Sequence, residues 1–187
     1  MAPLARALPT AAGSPSIAED PDVFEPLAVP EGYRDLANIT AVMREWSQLF
    51  PTRAALFDIT DEFNDGRKTA EGRGVYALKI SDNVAEDEDE PNVLMSGCLH
   101  AQELQTPEAI LMMAEVLLLA TDGEESSAKI TEKYDLSDGQ LAKLRRAVES
   151  QQIWLIAVIV SDGYQITDAN EAKLGEICQA FTDGFTA

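Results

Sequence analysis

A histidine and a glutamate three positions apart are the residues best suited to chemistry in this sequence. His100 is the single histidine of the 187-residue chain, and Glu103 follows it at the spacing of one helical turn. In such a turn the two side chains lie roughly 5–6 Å apart at their Cβ atoms. Because imidazole and carboxylate groups are both zinc ligands, the pair predicts half of a zinc site. A histidine that only hydrogen-bonds to a neighbouring acid remains the alternative.

A nearby thiol leaves two interpretations open. In an unbroken strand Cys98 and His100 would share a face, so that Cys98 could join a metal site. A small thiol buried in the core is the simpler interpretation. Cys178 is the other cysteine. Two free thiols in a reducing compartment such as the cytoplasm are favoured over one disulfide bridge, which stays open.

The segments around this pair predict an α/β protein. Four helices are expected from apolar residues at three- and four-residue steps: 36–49, 106–120 with Thr106 as cap, 137–150, and 168–181 with Asp168 as cap. Four strands are expected from short runs rich in β-branched and aromatic residues: 54–60 and 75–80 as a hairpin, and 92–99 and 153–160 as buried strands. His100 directly follows one of the buried strands, where α/β proteins present functional side chains.

Charge and length narrow the classes of partner. With 33 acidic against 14 basic residues, the net charge is -19. Nucleic acids and anionic membranes are therefore not expected, because phosphate binding needs clustered Lys and Arg. The apolar runs are shorter than the roughly 20 residues that span a bilayer, so a soluble protein is expected.

Two acidic or proline-bearing segments are expected to lie outside the core. Prolines at positions 3, 9 and 15 interrupt any apolar stretch, so that residues 1–29 predict a flexible leader rather than a signal peptide, ahead of one domain over 30–187. The five acids of 86–90 precede Pro91 and predict a solvated loop. A calcium site would need a ligand spacing that this run lacks.

Several segments in order resemble the zinc metallocarboxypeptidase family, the peptidases similar to carboxypeptidases A, B and T. The metal-binding signature of that family, His-Ala-Arg-Glu after a glycine-containing strand, corresponds here to His100-Ala101-Gln102-Glu103. The other matching segments are Tyr33, Phe50-Pro51, Thr69 to Ser81, Thr106-Pro107-Glu108, and Ile153 to Tyr164 with its Ser161-Asp162-Gly163-Tyr164 end. The resemblance spans residues 33–164, which correspond to the N-terminal half of the catalytic domain.

The resemblance implies a fold and an activity. The fold would be a mixed β-sheet flanked by helices, incomplete in this chain. The activity would be hydrolysis of C-terminal amino acids from peptides by a zinc-activated water, with the peptide C-terminus as partner. His100 and Glu103 would be the first two zinc ligands, and a second histidine completes the protein ligands in carboxypeptidase A, the established example of such a site.

The sequence also departs from the family pattern, and these departures leave alternatives to an active zinc carboxypeptidase. Gln102 replaces the signature arginine, so that it is the candidate substrate-binding residue by position but lacks the cationic fork. The chain has no second histidine and no arginine after Arg146, and the general-base glutamate of the family has no counterpart. We therefore expect a piece that is inactive alone. The alternatives are a non-catalytic pseudoenzyme or interaction module, which could associate through an unpaired sheet edge, and an unrelated α/β domain.

Overall fold

The computed structural model describes Leu27 and residues 32–170. Its helices are α1 (Leu36–Leu49), α2 (Ile59–Phe63), α3 (Gln105–Thr121), α4 (Glu124–Tyr134) and α5 (Asp138–Glu149). Its strands are β1 (Ala54–Asp58), β2 (Tyr76–Ile80), β3 (Asn92–Ser96) and β4 (Gln152–Ile156). Residues 161–170 are also helical, up to the last described residue.

The four strands form one mixed sheet in the order β1-β2-β4-β3. Strands β1 and β2, and β2 and β4, pair antiparallel, whereas β3 and β4 pair parallel. Helices α1 and α3 pack against one face, where alternate strand residues are almost fully buried: Ala54, Leu78, Ile80, Ile153 and Leu155. The α/β fold with a mixed sheet flanked by helices is therefore confirmed.

Side-chain hydrogen bonds cap the first turns of two helices, α1 and α5. The Asp35 side chain accepts a hydrogen bond from the Asn38 amide at 2.7 Å, and α1 then buries one face of its turns up to Phe50. Ser137 and Gln140 form a reciprocal capping box at the start of α5. These local signals are why the bounds of both helices agree with the sequence pattern.

The strands are shorter than the patterns predict. The predicted strand 54–60 ends at Asp58, because the Asp58 carboxylate caps α2 by accepting from the Thr60 and Asp61 amides. The predicted strand 92–99 ends at Ser96 and is not buried, because β3 lies at the edge of the sheet and alternate residues along it are exposed. The buried strand predicted over 153–160 is β4, which ends at Ile156.

Three expectations about the helices also differ from the structure. Helix α3 begins at Gln105 without a side-chain cap, since the Thr106 hydroxyl instead accepts from the Cys98 amide at 2.6 Å. Helix α4 was not predicted, because it follows Gly123 with few apolar residues to mark it. Asp168 lies inside the helical segment 161–170 rather than at its start.

Some predictions concern residues beyond the described part of the chain. The predicted leader 1–29 lies outside the described residues except for Leu27, whose carbonyl accepts a hydrogen bond from Lys133 at 2.9 Å. Residues 171–187, with Cys178, also lie outside them. Among the described helices, none combines the length and the apolar character that a membrane crossing requires.

The acidic run 86–90 is a largely exposed loop, as predicted. The buried ammonium group of Lys79 donates to the carbonyls of Val84 at 3.3 Å and Glu86 at 3.0 Å. Gln152 donates to the carbonyl of Glu88 at 2.9 Å. Burial lowers the pKa of Lys79. The loop therefore rests on polar groups of β2 and β4.

Asp58 is the buried charge that joins β1, α2 and the following loop. It is 6% exposed and accepts from Lys68 Nζ at 2.6 Å, besides the two α2 amides. Burial raises the pKa of its carboxyl group, but the hydrogen bonds from Lys68 and Thr60 outweigh burial, so that the pKa lies below its ordinary value of 3.8. Asp58 is therefore ionised in the folded protein at neutral pH.

We expect Asp58→Asn to lower the free energy of unfolding at pH 7 by about 1.5–3 kcal/mol, because it removes charge-assisted hydrogen bonds. Because the pKa of Asp58 is lower in the folded than in the unfolded state, ionised Asp58 stabilises the folded protein at pH values above its unfolded pKa. This stabilisation is lost as the pH falls through the folded pKa. The difference between variant and wild type should therefore shrink below pH 3.8. Urea unfolding at several pH values measures it.

Asp89→Asn is the matched control, because Asp89 is exposed in the acidic loop. It should change the free energy of unfolding by less than about 0.5 kcal/mol. Equal losses in the two variants, or a loss for Asp58→Asn that does not depend on pH, would contradict this role of Asp58.

Candidate metal centre

The loop 97–104 carries the candidate ligands, and its first residue has to be glycine. The Gly97 amide donates to the carbonyl of Ile156 at 2.8 Å. A Cβ at Gly97 would lie 2.7 Å from the carbonyl oxygen of Ala157 and 3.0 Å from that of Thr106. Because backbone atoms cannot yield as a side chain would, only glycine allows β3 to turn here.

The turn separates Cys98 from His100. Cys98 has a positive φ of 44° and is fully buried, whereas the His100 side chain is 65% exposed. The strand is thus broken, and the shared face that an unbroken strand would give does not exist. Burial, followed by the nearby charge of Glu103, raises the pKa of the Cys98 thiol. Cys98 is a free core thiol, as the simpler interpretation predicts.

Glu103 organises the loop through both of its carboxylate oxygens. Its Oε2 accepts from the amides of Leu99 and His100, each at 3.1 Å. Its Oε1 lies 2.9 Å from His100 Nδ1. The side-chain and backbone hydrogen bonds from His100 are the main causes that lower the pKa of Glu103. The structure therefore brings the sequence-predicted pair together, with the carboxylate ionised.

The donor set fits zinc in type and spacing. Zinc lies about 2.0–2.2 Å from imidazole nitrogen and carboxylate oxygen ligands. Two donors that are 2.9 Å apart can therefore both reach one ion. Within the described residues, neither Cys98 nor an acidic residue forms a group of three close donors with this pair. The described part of the chain thus offers two candidate ligands, whereas zinc sites use three or four from protein.

A cleft of about 590 Å³ lies beside His100. One wall is the loop that carries His100 and the exposed Gln102, and the other is the start of the helical segment 161–170 with Ser161 and Asp162. The structure thus places Gln102, the candidate substrate-binding residue, at the cleft.

Asp162 joins the helical segment to the loop 69–73. Its carboxylate accepts from Arg73 Nη1 at 2.7 Å, Thr69 Oγ1 at 2.8 Å and the Glu71 amide at 3.0 Å. Burial raises its pKa, but the hydrogen bonds from Arg73 and Glu71 outweigh burial and leave it lowered. Both segments match the family pattern in the sequence, but the sequence analysis missed the contact between Asp162 and the loop 69–73. The only signal for this contact was the order of the two segments along the chain.

A second group of acids lies at the other end of β3. Carboxylate oxygens of Asp82, Glu88 and Glu90 lie within 4.8 Å of one another. Among the described residues, these three side chains form the cluster of acids that lie close enough together to hold a metal ion. The sequence analysis of the run 86–90 did not include Asp82. Because exposed acids gather on loops without a metal, the solvated-loop interpretation of this run stands.

Comparison of the chain with known proteins identifies its family. A family model described as zinc carboxypeptidase matches residues 39–176, so the chain belongs to the zinc carboxypeptidase family. A curated relative, a zinc carboxypeptidase of Saccharothrix mutabilis subsp. capreolus, is 29% identical over 136 residues. That match covers 73% of this chain and 26% of the relative.

Solved structures also match over most of the chain. Carboxypeptidase A from Helicoverpa armigera is 22% identical with a TM-score of 0.47, over 71% of this chain and 25% of that one. Thrombin activatable fibrinolysis inhibitor is 15% identical with a TM-score of 0.49, over 72% of this chain and 27% of that one. The chain therefore spans about a quarter of the length of these relatives.

We expect Gly97→Ala to lower the free energy of unfolding by about 1–3 kcal/mol, because its Cβ would overlap the Ala157 carbonyl. The control is Gly139→Ala in α5, where no atom lies within 4 Å of a new Cβ. The control should be neutral or stabilising by up to about 1 kcal/mol, since alanine is the better helix former. Urea unfolding of both variants measures the difference, and a neutral Gly97→Ala would contradict the close approach.

Proposed function

We propose that this chain contributes the first two zinc ligands, His100 and Glu103, to a zinc carboxypeptidase that removes C-terminal amino acids from peptides. The observation that carries the proposal is the 2.9 Å separation of His100 Nδ1 and Glu103 Oε1 on a loop that opens into a cleft. Membership of the zinc carboxypeptidase family supports the same activity.

Each residue of the loop has a separate task in this proposal. Zinc, when bound, supplies Lewis acidity and lowers the pKa of a bound water. His100 and Glu103 hold the ion, and the amides of Leu99 and His100 fix the orientation of the Glu103 carboxylate. Gln102 offers a neutral amide to a peptide oxygen where the family signature has arginine. It binds less strongly than a guanidinium would.

We further propose that these 187 residues do not hydrolyse peptides alone. Two protein ligands leave zinc weakly held, and the sequence has no second histidine to complete the set. Loss of members of a catalytic unit typically lowers the rate by several powers of ten. The remaining ligand, the general base and the substrate arginines would come from outside this sequence.

We expect the purified chain to bind one zinc ion through this pair. His100→Ala and Glu103→Gln should each weaken binding by more than about tenfold, because even loss of a residue that only orients a ligand costs 10–100-fold. Glu149→Gln, at an exposed glutamate in α5, should bind zinc as the wild type does. Competition with a chromophoric zinc chelator measures the affinities. Equal affinities in all four proteins would exclude the pair as ligands.

Hydrolysis of an N-blocked dipeptide gives the companion measurement. The zinc-loaded chain should release no more free amino acid than His100→Ala does. Release that depends on both zinc and His100 would contradict the proposed inactivity and support a complete site.

A non-catalytic interaction module is the second candidate, and the free edge of β3 favours it. Within the described residues β3 pairs with β4 alone, and one row of its backbone groups has no partner strand. Leu94 is 65% exposed on this strand, next to Trp154 on β4. An edge strand with an exposed apolar side chain is a template for association with another chain.

We expect Leu94→Lys to reduce self-association, because a lysine on an edge strand opposes strand pairing. Phe63→Lys is the control, since Phe63 is 69% exposed but lies on α2. Sedimentation velocity over a range of concentrations should show a loss of larger species for Leu94→Lys alone. Equal effects of both substitutions would indicate general apolar contacts and count against the β3 edge.

A further inference from the structure

The helical segment 161–170 begins in the cleft without a cap. Its first hydrogen bond runs from the Tyr164 amide to the Val160 carbonyl at 2.9 Å. The amides of residues 161–163 therefore have no acceptor within the helix. The preceding residue, Val160, has no side-chain acceptor, and valine is a poor residue at this position. The Asp162 carboxylate does not cap them, because Arg73, Thr69 and Glu71 occupy it.

The Ser161 hydroxyl is a second, independent donor at the same place. Ser161 is 1% exposed, and among the described residues its buried Oγ atom has no hydrogen-bond partner. Buried polar groups are normally paired, so an unpaired hydroxyl needs an explanation. Ser161 lines the cleft together with His100 and Gln102. A ligand in the cleft would supply the missing acceptor.

Close packing holds this helix start next to the metal-binding loop. A Cβ at Gly163 would lie 2.8 Å from the Cβ of Ala101, the residue after His100. The Val160 amide also donates to the Cys98 carbonyl at 3.4 Å. The donors of 161–163 and the loop that carries His100 are therefore packed against each other at the cleft.

We propose that the Ser161 hydroxyl and the amides of residues 161–163 bind a backbone carbonyl oxygen of an extended peptide in the cleft beside His100. The inference deepens the proposed function and rests on it, since it takes a peptide as the ligand. Helix N-termini attract oxygen atoms that carry negative charge. A carbonyl oxygen suits this site better than an anion, because the Asp162 carboxylate belongs to the same helix start and the chain carries a net charge of -19.

The test is an NMR titration of the full chain with the neutral peptide N-acetyl-trialanine amide. The amide signals of residues 161–163 should shift, and Ser161→Ala should raise the Kd by about three- to tenfold, the loss expected for one neutral hydrogen bond. Ser150→Ala, an exposed serine after α5, should leave the Kd unchanged. Thermal unfolding of Ser161→Ala should not occur at a lower temperature, because the hydroxyl has no partner in the described part of the chain.

Two results would overturn the inference. One is an unchanged Kd in Ser161→Ala, and the other is a stronger response of residues 161–163 to acetate than to the neutral peptide, which would indicate an anion site. Failure of the zinc proposal is separate from both. His100→Ala should lose zinc and still bind the peptide, so that zinc binding and peptide binding are scored independently.

Discussion

The Glu103 carboxylate is the constraint on which the candidate centre depends. One oxygen closes the loop by accepting from the amides of Leu99 and His100, and the other faces His100 Nδ1 at 2.9 Å. A group that binds two amides stays ionised, and it keeps the histidine and itself at one spacing. The same carboxylate therefore shapes the loop and is the candidate ligand next to His100.

The parallel pair β3 and β4 places that loop. Because the two strands run the same way, both of their carboxyl ends lie at one edge of the sheet, and the segments that follow them meet there. Gly97 lets the first segment pass against Ala157, and Asp162 ties the second to the loop 69–73. The cleft is the space between these segments. The arrangement brings parts of three segments that match the family, those around Thr69, His100 and Asp162, to one cleft.

The sequence predicted the parts of this structure that depend on local signals. The predicted helices 36–49 and 137–150 correspond to α1 and α5, and the His-Glu spacing predicted a pair that the structure brings together. It failed where tertiary context decides. The exposure of β3 follows from its place in the strand order, which leaves no trace in residue spacing. The turn that separates Cys98 from His100 depends on the close approach of Gly97 to the backbone of Ala157 and Thr106, which a local pattern cannot show. The contacts of Asp162 join residues about 90 positions apart and were beyond any local pattern.

X-ray absorption spectroscopy of the zinc-loaded chain tests the central claim most directly, because it identifies the ligand atoms around the ion. We expect nitrogen and oxygen scatterers with the signal of a single imidazole, and the loss of that signal in His100→Ala. Sulfur among the ligand atoms, or a spectrum that His100→Ala leaves unchanged, would contradict the assignment of His100 and Glu103 as the zinc-binding pair.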